Sequence, residues 1–252
     1  MASTITALDY AVGDIYDALK KSGLYQNSVI IFSTDNGGAV QASSNLPLKG
    51  NKEELYEGGV RGVGFVNSPL LDNNHGKHDK LMFITDWFAT ILSLAGQSHL
   101  IPEDTDSYNM WPSLVTGQVE SPRTQIILNI DQNNSLEQWS AAVIDDSWKF
   151  IWGQSYLLRQ QLFPRYCRSW NTSAAILENI NDCNVELYNL QEDPEEQNNL
   201  AAGGRRKERV NSMKEIIIKQ LDRFVAADEP EDNPAGFPVN FGGFISTGWC
   251  NI

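Results

Sequence analysis

The run Val29-Ile30-Ile31-Phe32, continued by Ser33-Thr34-Asp35-Asn36-Gly37-Gly38, decides how the fold is read. Four consecutive apolar residues are too few for a helix and suit a strand buried on both faces of a parallel sheet. Ahead of it, Ile5, Leu8, Val12, Ile15 and Leu19 step by three and four, and Gly23 stands in the C-terminal capping position, so an amphipathic helix precedes the strand. Helix followed by buried strand is an α/β signature. In open α/β sheets the loops at the carboxyl ends of strands carry ligands, and Asp35-Asn36-Gly37-Gly38 falls at such an end.

Working outward, residues 62–66 read as a second short strand ended by Ser68-Pro69, and residues 70–80 as a polar loop. Thr85 is expected to cap a helix with Trp87, Ile91 and Leu94 on one face and Gly96 closing it. Pro102, Pro112 and Pro122 then interrupt a stretch without periodicity, which places a boundary between blocks at residues 1–122 and 123–252. The second block has short strands at 125–130, 140–144, 148–152 and 185–190, with a hairpin-like turn at Asp145-Asp146-Ser147. Val210, Met213, Ile217, Leu221 and Phe224 mark an amphipathic helix over residues 205–227 that would cover one face of a small antiparallel sheet. From Asp228 the chain is rich in Pro, Gly and aromatic residues and reads as a wrapping coil.

A chain of 252 residues with 41% hydrophobic residues can bury a sizeable core. Its 19 basic and 32 acidic residues give a net charge of -13, which repels nucleic-acid phosphates and anionic membrane surfaces. No apolar run reaches the roughly 18 residues a membrane span needs, and residues 1–9 lack the features of a secretory signal. Sequons occur at Asn133-Asn134-Ser135 and Asn171-Thr172-Ser173. Of the 3 cysteines, Cys167 and Cys183 could pair across a short loop with Cys250 seeking a partner elsewhere, or all could be reduced buried thiols. The sequence does not specify an oligomeric state.

Asp35 and Asn36 place a carboxylate and an amide oxygen side by side, hard oxygens of the kind calcium or magnesium takes, although the same four residues also suit a tight turn. Lys52 is a cation in a glycine-flanked loop, able to hold an anionic oxygen or simply to be solvated. His75, His78 and His99 lie in polar loops and read as solvent-exposed.

Taken together, Asp35-Asn36-Gly37-Gly38, Pro47-Leu48-Lys49-Gly50-Asn51-Lys52 and Glu57-Gly58-Gly59-Val60-Arg61-Gly62 stand in the order and close spacing of the sulfatase family, and the last segment resembles arylsulfatase B and its close relatives. The likeness continues through Asp86-Trp87-Phe88-Ala89-Thr90-Ile91-Leu92-Ser93-Leu94-Ala95-Gly96. It resumes at Glu186-Leu187-Tyr188-Asn189-Leu190 and the following Gln191-Glu192-Asp193-Pro194-Glu195-Glu196-Gln197-Asn198-Asn199-Leu200-Ala201, and is weakest over residues 156–182. The resemblance implies an alkaline-phosphatase-like α/β sheet with flanking helices, of which this chain holds the C-terminal part, followed by the small sheet and long helix. It implies Asp35 and Asn36 as two ligands of a catalytic calcium and Lys52 as a catalytic contact to the sulfate group, with Glu57 and Arg61 shaping the loop. The substrate implied is a sulfate ester, on a sulfated sugar or glycan, in the lysosome or outside the cell.

The family's nucleophile is a formylglycine made from cysteine in a Cys-x-Pro/Ser-x-Arg signal. Neither Cys167-Arg168-Ser169, Cys183-Asn184-Val185 nor Cys250-Asn251-Ile252 fits that signal. The family's paired metal aspartates and active-site histidines also have no match here. The expectation is therefore an incomplete calcium site and no appreciable hydrolysis by this chain alone. Two further readings stay open: a non-catalytic binding or interaction module that keeps the second half of the fold, and, further behind, a related phosphodiesterase, which would use His and Asp ligands to two metals.

Overall fold

The structure, a computed structural model, describes residues 2–40, 42–71, 76–117, 119–131, 140–153, 185–225 and 234–243. The chain forms two compact units, Met1–Asp222 and Arg223–Ile252. In the second, the described residues make short 3-10 turns at Pro234–Gly236 and Pro238–Asn240. The cysteines, both sequons and His75 lie outside the described residues.

The first unit opens with helix α1, Ala2–Lys21. Gly23, at φ 75, ends it as expected, and the Leu24 amide donates back to Leu19 O at 3.0 Å. The periodicity of α1 is right, but none of its residues is buried, and Ile5, Leu8 and Ile15 are exposed. Strand β1, Ile30–Ser33, pairs antiparallel with β2, Gly64–Asn67, matching Ile31 with Val66 and Phe32 with Phe65. This corrects the expected parallel, doubly buried strand. Its apolar residues are half-buried because β2 is the one strand paired with it among the described residues.

Helix α2 is the single turn Glu57–Val60, and α3 spans Asp86–Leu94. Thr85 does not cap α3. The Asp86 carboxylate takes the end of the helix instead, accepting from the Phe83 amide at 2.8 Å and the Tyr108 amide at 2.9 Å. The buried face of α3 is Asp86, Ala89 and Thr90 rather than Trp87, Ile91 and Leu94, and Ile91 is exposed. Burial follows Arg123, which makes a two-pronged ion pair with Asp86 at 2.6 Å per contact and carries α3 with it. A short helix α4 follows at Trp111–Thr116.

The second half of this unit is an antiparallel sheet in the order β3-β4-β5-β6: Gln125–Asp131, Ser140–Asp145, Trp148–Gly153 and Val185–Asn189. All four strands match the sequence reading. The β4–β5 hairpin turns at Asp146, whose φ of 53 is a left-handed conformation that Asp tolerates better than most residues. Helix α5, Lys207–Leu221, is shorter than expected and lays Val210, Met213 and Ile217 on Ala141, Val143, Phe150, Trp152, Val185 and Leu187. The opposite sheet face, Ala142, Ile151 and Tyr188, packs on Leu55 and Tyr56. With both faces covered, β4 and β5 are buried almost continuously instead of alternating. The sheet therefore acts as a slab between α5 and the loop that leads into α2.

Candidate active site

Three loops meet at the end of β1. Thr34 closes the ladder, its amide donating to Val63 O at 2.9 Å while its hydroxyl accepts from the Val63 amide at 2.9 Å. The chain then turns through Asp35, which is exposed, and Asn36, which is half-buried. The Asn36 amide donates to Asp35 Oδ1 at 2.9 Å, and the Asn36 side-chain amide donates to Gly37 O at 2.7 Å. Asp35 Oδ2 and Asn36 Oδ1 take no hydrogen bond from a described residue.

Asn45 ties this turn to the next loop. Its Oδ1 accepts from the Gly38 amide at 2.7 Å, and its Nδ2 donates to Gly38 O at 2.9 Å and Gly50 O at 3.1 Å. The Lys52 amide donates to Gly38 O at 3.0 Å, which brings the Lys52 backbone beside the Asp35–Asn36 turn. The Lys52 side chain is exposed and makes no hydrogen bond or ion pair with a described residue. The structure thus gathers the backbones of all three candidate residues into one hydrogen-bonded unit.

Helix α2 backs both loops at distances only glycine allows. A Cβ on Gly37 would lie 1.8 Å from Gly58 O, and one on Gly58 would lie 2.4 Å from Gly50 O and 2.6 Å from Lys49 O. In that space the Gly37 amide donates to Gly59 O at 2.8 Å and the Gly58 amide to Lys49 O at 2.7 Å.

Beneath α2 lies a set of buried charges. Lys149, fully buried in β5, pairs with Glu57 Oε1 at 2.9 Å and Glu196 Oε1 at 3.0 Å, and Glu196 Oε2 accepts from the Glu57 amide at 2.6 Å. Glu57 also pairs with Arg61 at 3.5 Å. Burial raises the Glu196 pKa above the ordinary carboxylate value, against the lowering pull of Lys149. Next to this set, Tyr56 Oη donates to Glu186 Oε1 at 2.8 Å, and Lys49 Nζ reaches Tyr188 Oη at 3.0 Å and Glu186 Oε2 at 3.5 Å. Tyr188 donates to Glu186. Burial first, and that carboxylate second, push the Tyr188 phenol far above its ordinary pKa, so it stays a donor.

Lys149 has no place in the sequence reading, and Glu186, Tyr188 and Glu196 enter it only within the family resemblance, without a role. The available signal was a lysine and a glutamate inside otherwise apolar strands, Trp148-Lys149-Phe150-Ile151 and Val185-Glu186-Leu187. His78 corrects the reading of that residue as exposed: it is half-buried, its Nε2 lies 2.8 Å from Ser113 Oγ, and burial lowers its pKa. His99 is exposed, as expected.

Two adjacent hard oxygens suit a divalent cation but supply a minority of the six to eight that calcium takes. Among the described residues, no group of three or more His, Cys, Asp or Glu side chains could hold a metal ion. Asp35 and Asn36 therefore fit one side of such a site, and its other ligands would come from elsewhere. Among the described residues, no helix is long and apolar enough to cross a membrane.

Residues 1–97 match the sulfatase family model. Arylsulfatase J of Mus musculus is 34% identical over 268 residues, covering 96% of this chain and 43% of its own length. N-acetylgalactosamine-6-O-sulfatase of Bacteroides thetaiotaomicron is 26% identical over 212 residues, covering 78% of this chain and 37% of its own. Among solved structures, Ps i-CgsB in complex with k-i-k-neocarrahexaose superposes with a TM-score of 0.64 at 24% identity, over 85% of this chain and 41% of that one. That likeness concerns the fold, which is the alkaline-phosphatase-like α/β architecture. The chain spans about two fifths of the length of the relatives it matches. On its three ordered motifs and these matches, residues 1–97 are sulfatase-family sequence, and the chain as a whole is similar to part of arylsulfatase J.

Proposed function

We propose that these residues form the Asp35–Lys52 side of an arylsulfatase B-like sulfuric ester hydrolase acting on a sulfated sugar or glycan. The observation that carries the reading is the hydrogen-bonded union of the Asp35–Asn36 turn with the Lys52 loop through Gly38. Lys52 presents an exposed ammonium to a sulfate oxygen, which counters charge as the ester bond breaks. Asp35 and Asn36 contribute two oxygens to a calcium ion. Calcium, when bound, supplies Lewis-acid stabilisation of the sulfate oxygens. The glycine helix α2 keeps both loops at a fixed separation, so neither has to reorganise during reaction.

The glycan reading is supported by relatives whose names specify a sulfated amino sugar and by a fold relative in complex with a neocarrahexaose. The sequons at Asn133 and Asn171 suit a glycoprotein of the lysosome or the extracellular space. The 252 residues contain no Cys-x-Pro/Ser-x-Arg segment, so the formylglycine nucleophile would come from outside them. The purified chain with calcium is accordingly expected to turn over no aryl sulfate above the uncatalysed rate. Clear hydrolysis that is lost in Lys52→Ala would keep the site and overturn the external nucleophile. Binding of a sulfated oligosaccharide with no hydrolysis, even when the chain is part of a longer polypeptide carrying the cysteine signal, would replace the enzyme by a binding module.

A further inference from the structure

We infer that Lys149 and Glu196 are positioning residues for the Asp35–Asn36 turn and the Lys52 loop, acting through α2; this rests on the sulfate-ester reading of those loops. Helix α2 has four residues, too few to hold its own geometry. Tyr56, at its N-cap, makes no side-chain cap. The Glu57 amide is instead taken by Glu196 Oε2 at 2.6 Å, and the Glu57 carboxylate by Lys149 at 2.9 Å. Both partners come from beyond residue 140, one from β5 and one from the turn after β6.

From α2 to the loops the contact is backbone on backbone. Gly59 O receives the Gly37 amide, the Gly58 amide reaches Lys49 O, and no side chain lies between to absorb a shift. A displacement of α2 is therefore passed to Asn36 on one side and to Lys52 on the other. Buried ions are a costly way to stabilise a fold, since apolar residues of similar volume often serve as well. Three of them at one joint, all at 4% exposure or less, instead fix the place of α2 on the sheet.

The test is residue-resolved amide hydrogen exchange on the full 252-residue chain. Loop reporters are the Gly37 and Lys52 amides together with the Gly58 amide, through which α2 holds Lys49 O, each of which has a backbone acceptor, and sheet reporters are Val143 and Ile151 in the central strands. Glu196→Gln keeps the shape and removes one charge. It is expected to speed exchange at the three loop amides about tenfold, while Val143 and Ile151 stay within about twofold, because the local opening is confined to the loops. Glu196→Ala, which also removes the acceptor for the Glu57 amide, is expected to reach about a hundredfold on the same pattern. Unchanged loop amides in Glu196→Gln would overturn the inference, and so would equal acceleration in the sheet, which would make the cluster a general prop of the fold. If Glu196→Ala does not fold, Glu196→Gln decides. Exchange is read without substrate or metal, so it can fail while the sulfate-ester reading stands, and turnover measurements can fail while it succeeds.

Discussion

Replacing Lys149 by Met removes the one cation between two buried carboxylates. Lys149 Nζ sits 2.9 Å from Glu57 Oε1 and 3.0 Å from Glu196 Oε1, and Lys149 and Glu196 are both at 0% exposure. Breaking a buried pair by deleting one partner costs about 3–5 kcal/mol, because the other charge stays buried and uncompensated. Here two carboxylates are left, and among the described residues only Glu57 has another cation in reach, Arg61 at 3.5 Å and half exposed. We therefore expect a loss of about 4–5 kcal/mol at pH 7 for Lys149→Met. With an urea m-value of about 2 kcal/mol per molar, the unfolding midpoint should fall by roughly 2 M. The loss should shrink at pH 5, where the stranded Glu196 carboxyl, already raised by burial and now without the lowering pull of Lys149, takes up a proton. The assay is urea unfolding followed by circular dichroism at both pH values. A loss under about 1 kcal/mol at pH 7, typical of an exposed pair, would refute the reasoning.

Other consequences follow from the same contacts. Arg123→Met should cost about 3–5 kcal/mol in thermal or urea unfolding, since Asp86 loses its two 2.6 Å contacts while staying fully buried. Gly58→Ala puts a methyl into backbone oxygens at 2.4 and 2.6 Å and should cost about 1–3 kcal/mol, read as a lower melting temperature. Glu196 has a raised pKa in the folded state, so it binds more protons folded than unfolded. Its stabilising contribution is complete below the ordinary carboxylate value and is lost as pH rises through the raised value. The urea midpoint of Glu196→Gln should accordingly fall less across that window than that of the unmutated chain.

Much of the fold could be read from local pattern. Strands β3 to β6 and the Asp146 turn show in the local pattern, and the apolar stripe of α5 places Val210, Met213 and Ile217 on the sheet, although α5 is shorter than its pattern and β4 and β5 are buried on both faces. What failed depends on partners distant in sequence. The run Val29-Ile30-Ile31-Phe32 has the composition of a central strand, yet its pairing with β2 depends on which neighbours are present, and composition carries no such information. Thr85 is a sound capping residue by type, but Asp86 wins the helix end because Arg123, 37 residues away, holds its carboxylate there. The candidate site was legible as motif order, and the structure adds the reason for the glycines, which are the clearance between Gly37, Gly50 and α2. The charges beneath could not be placed from sequence, because Lys149 reaches Glu57 across 92 positions and Glu186 reaches Tyr56 across 130.

The most direct measurement is aryl sulfate turnover by a chimera in which these 252 residues replace the matching 43% of arylsulfatase J, assayed beside the same chimera carrying Lys52→Ala. If Asp35, Asn36 and Lys52 serve the sulfate ester as argued, the chimera hydrolyses the substrate in the presence of calcium, and Lys52→Ala lowers kcat/KM by about a hundredfold or more, the scale of losing one charge-stabilising group. Equal turnover with and without the Lys52 ammonium would contradict the assignment.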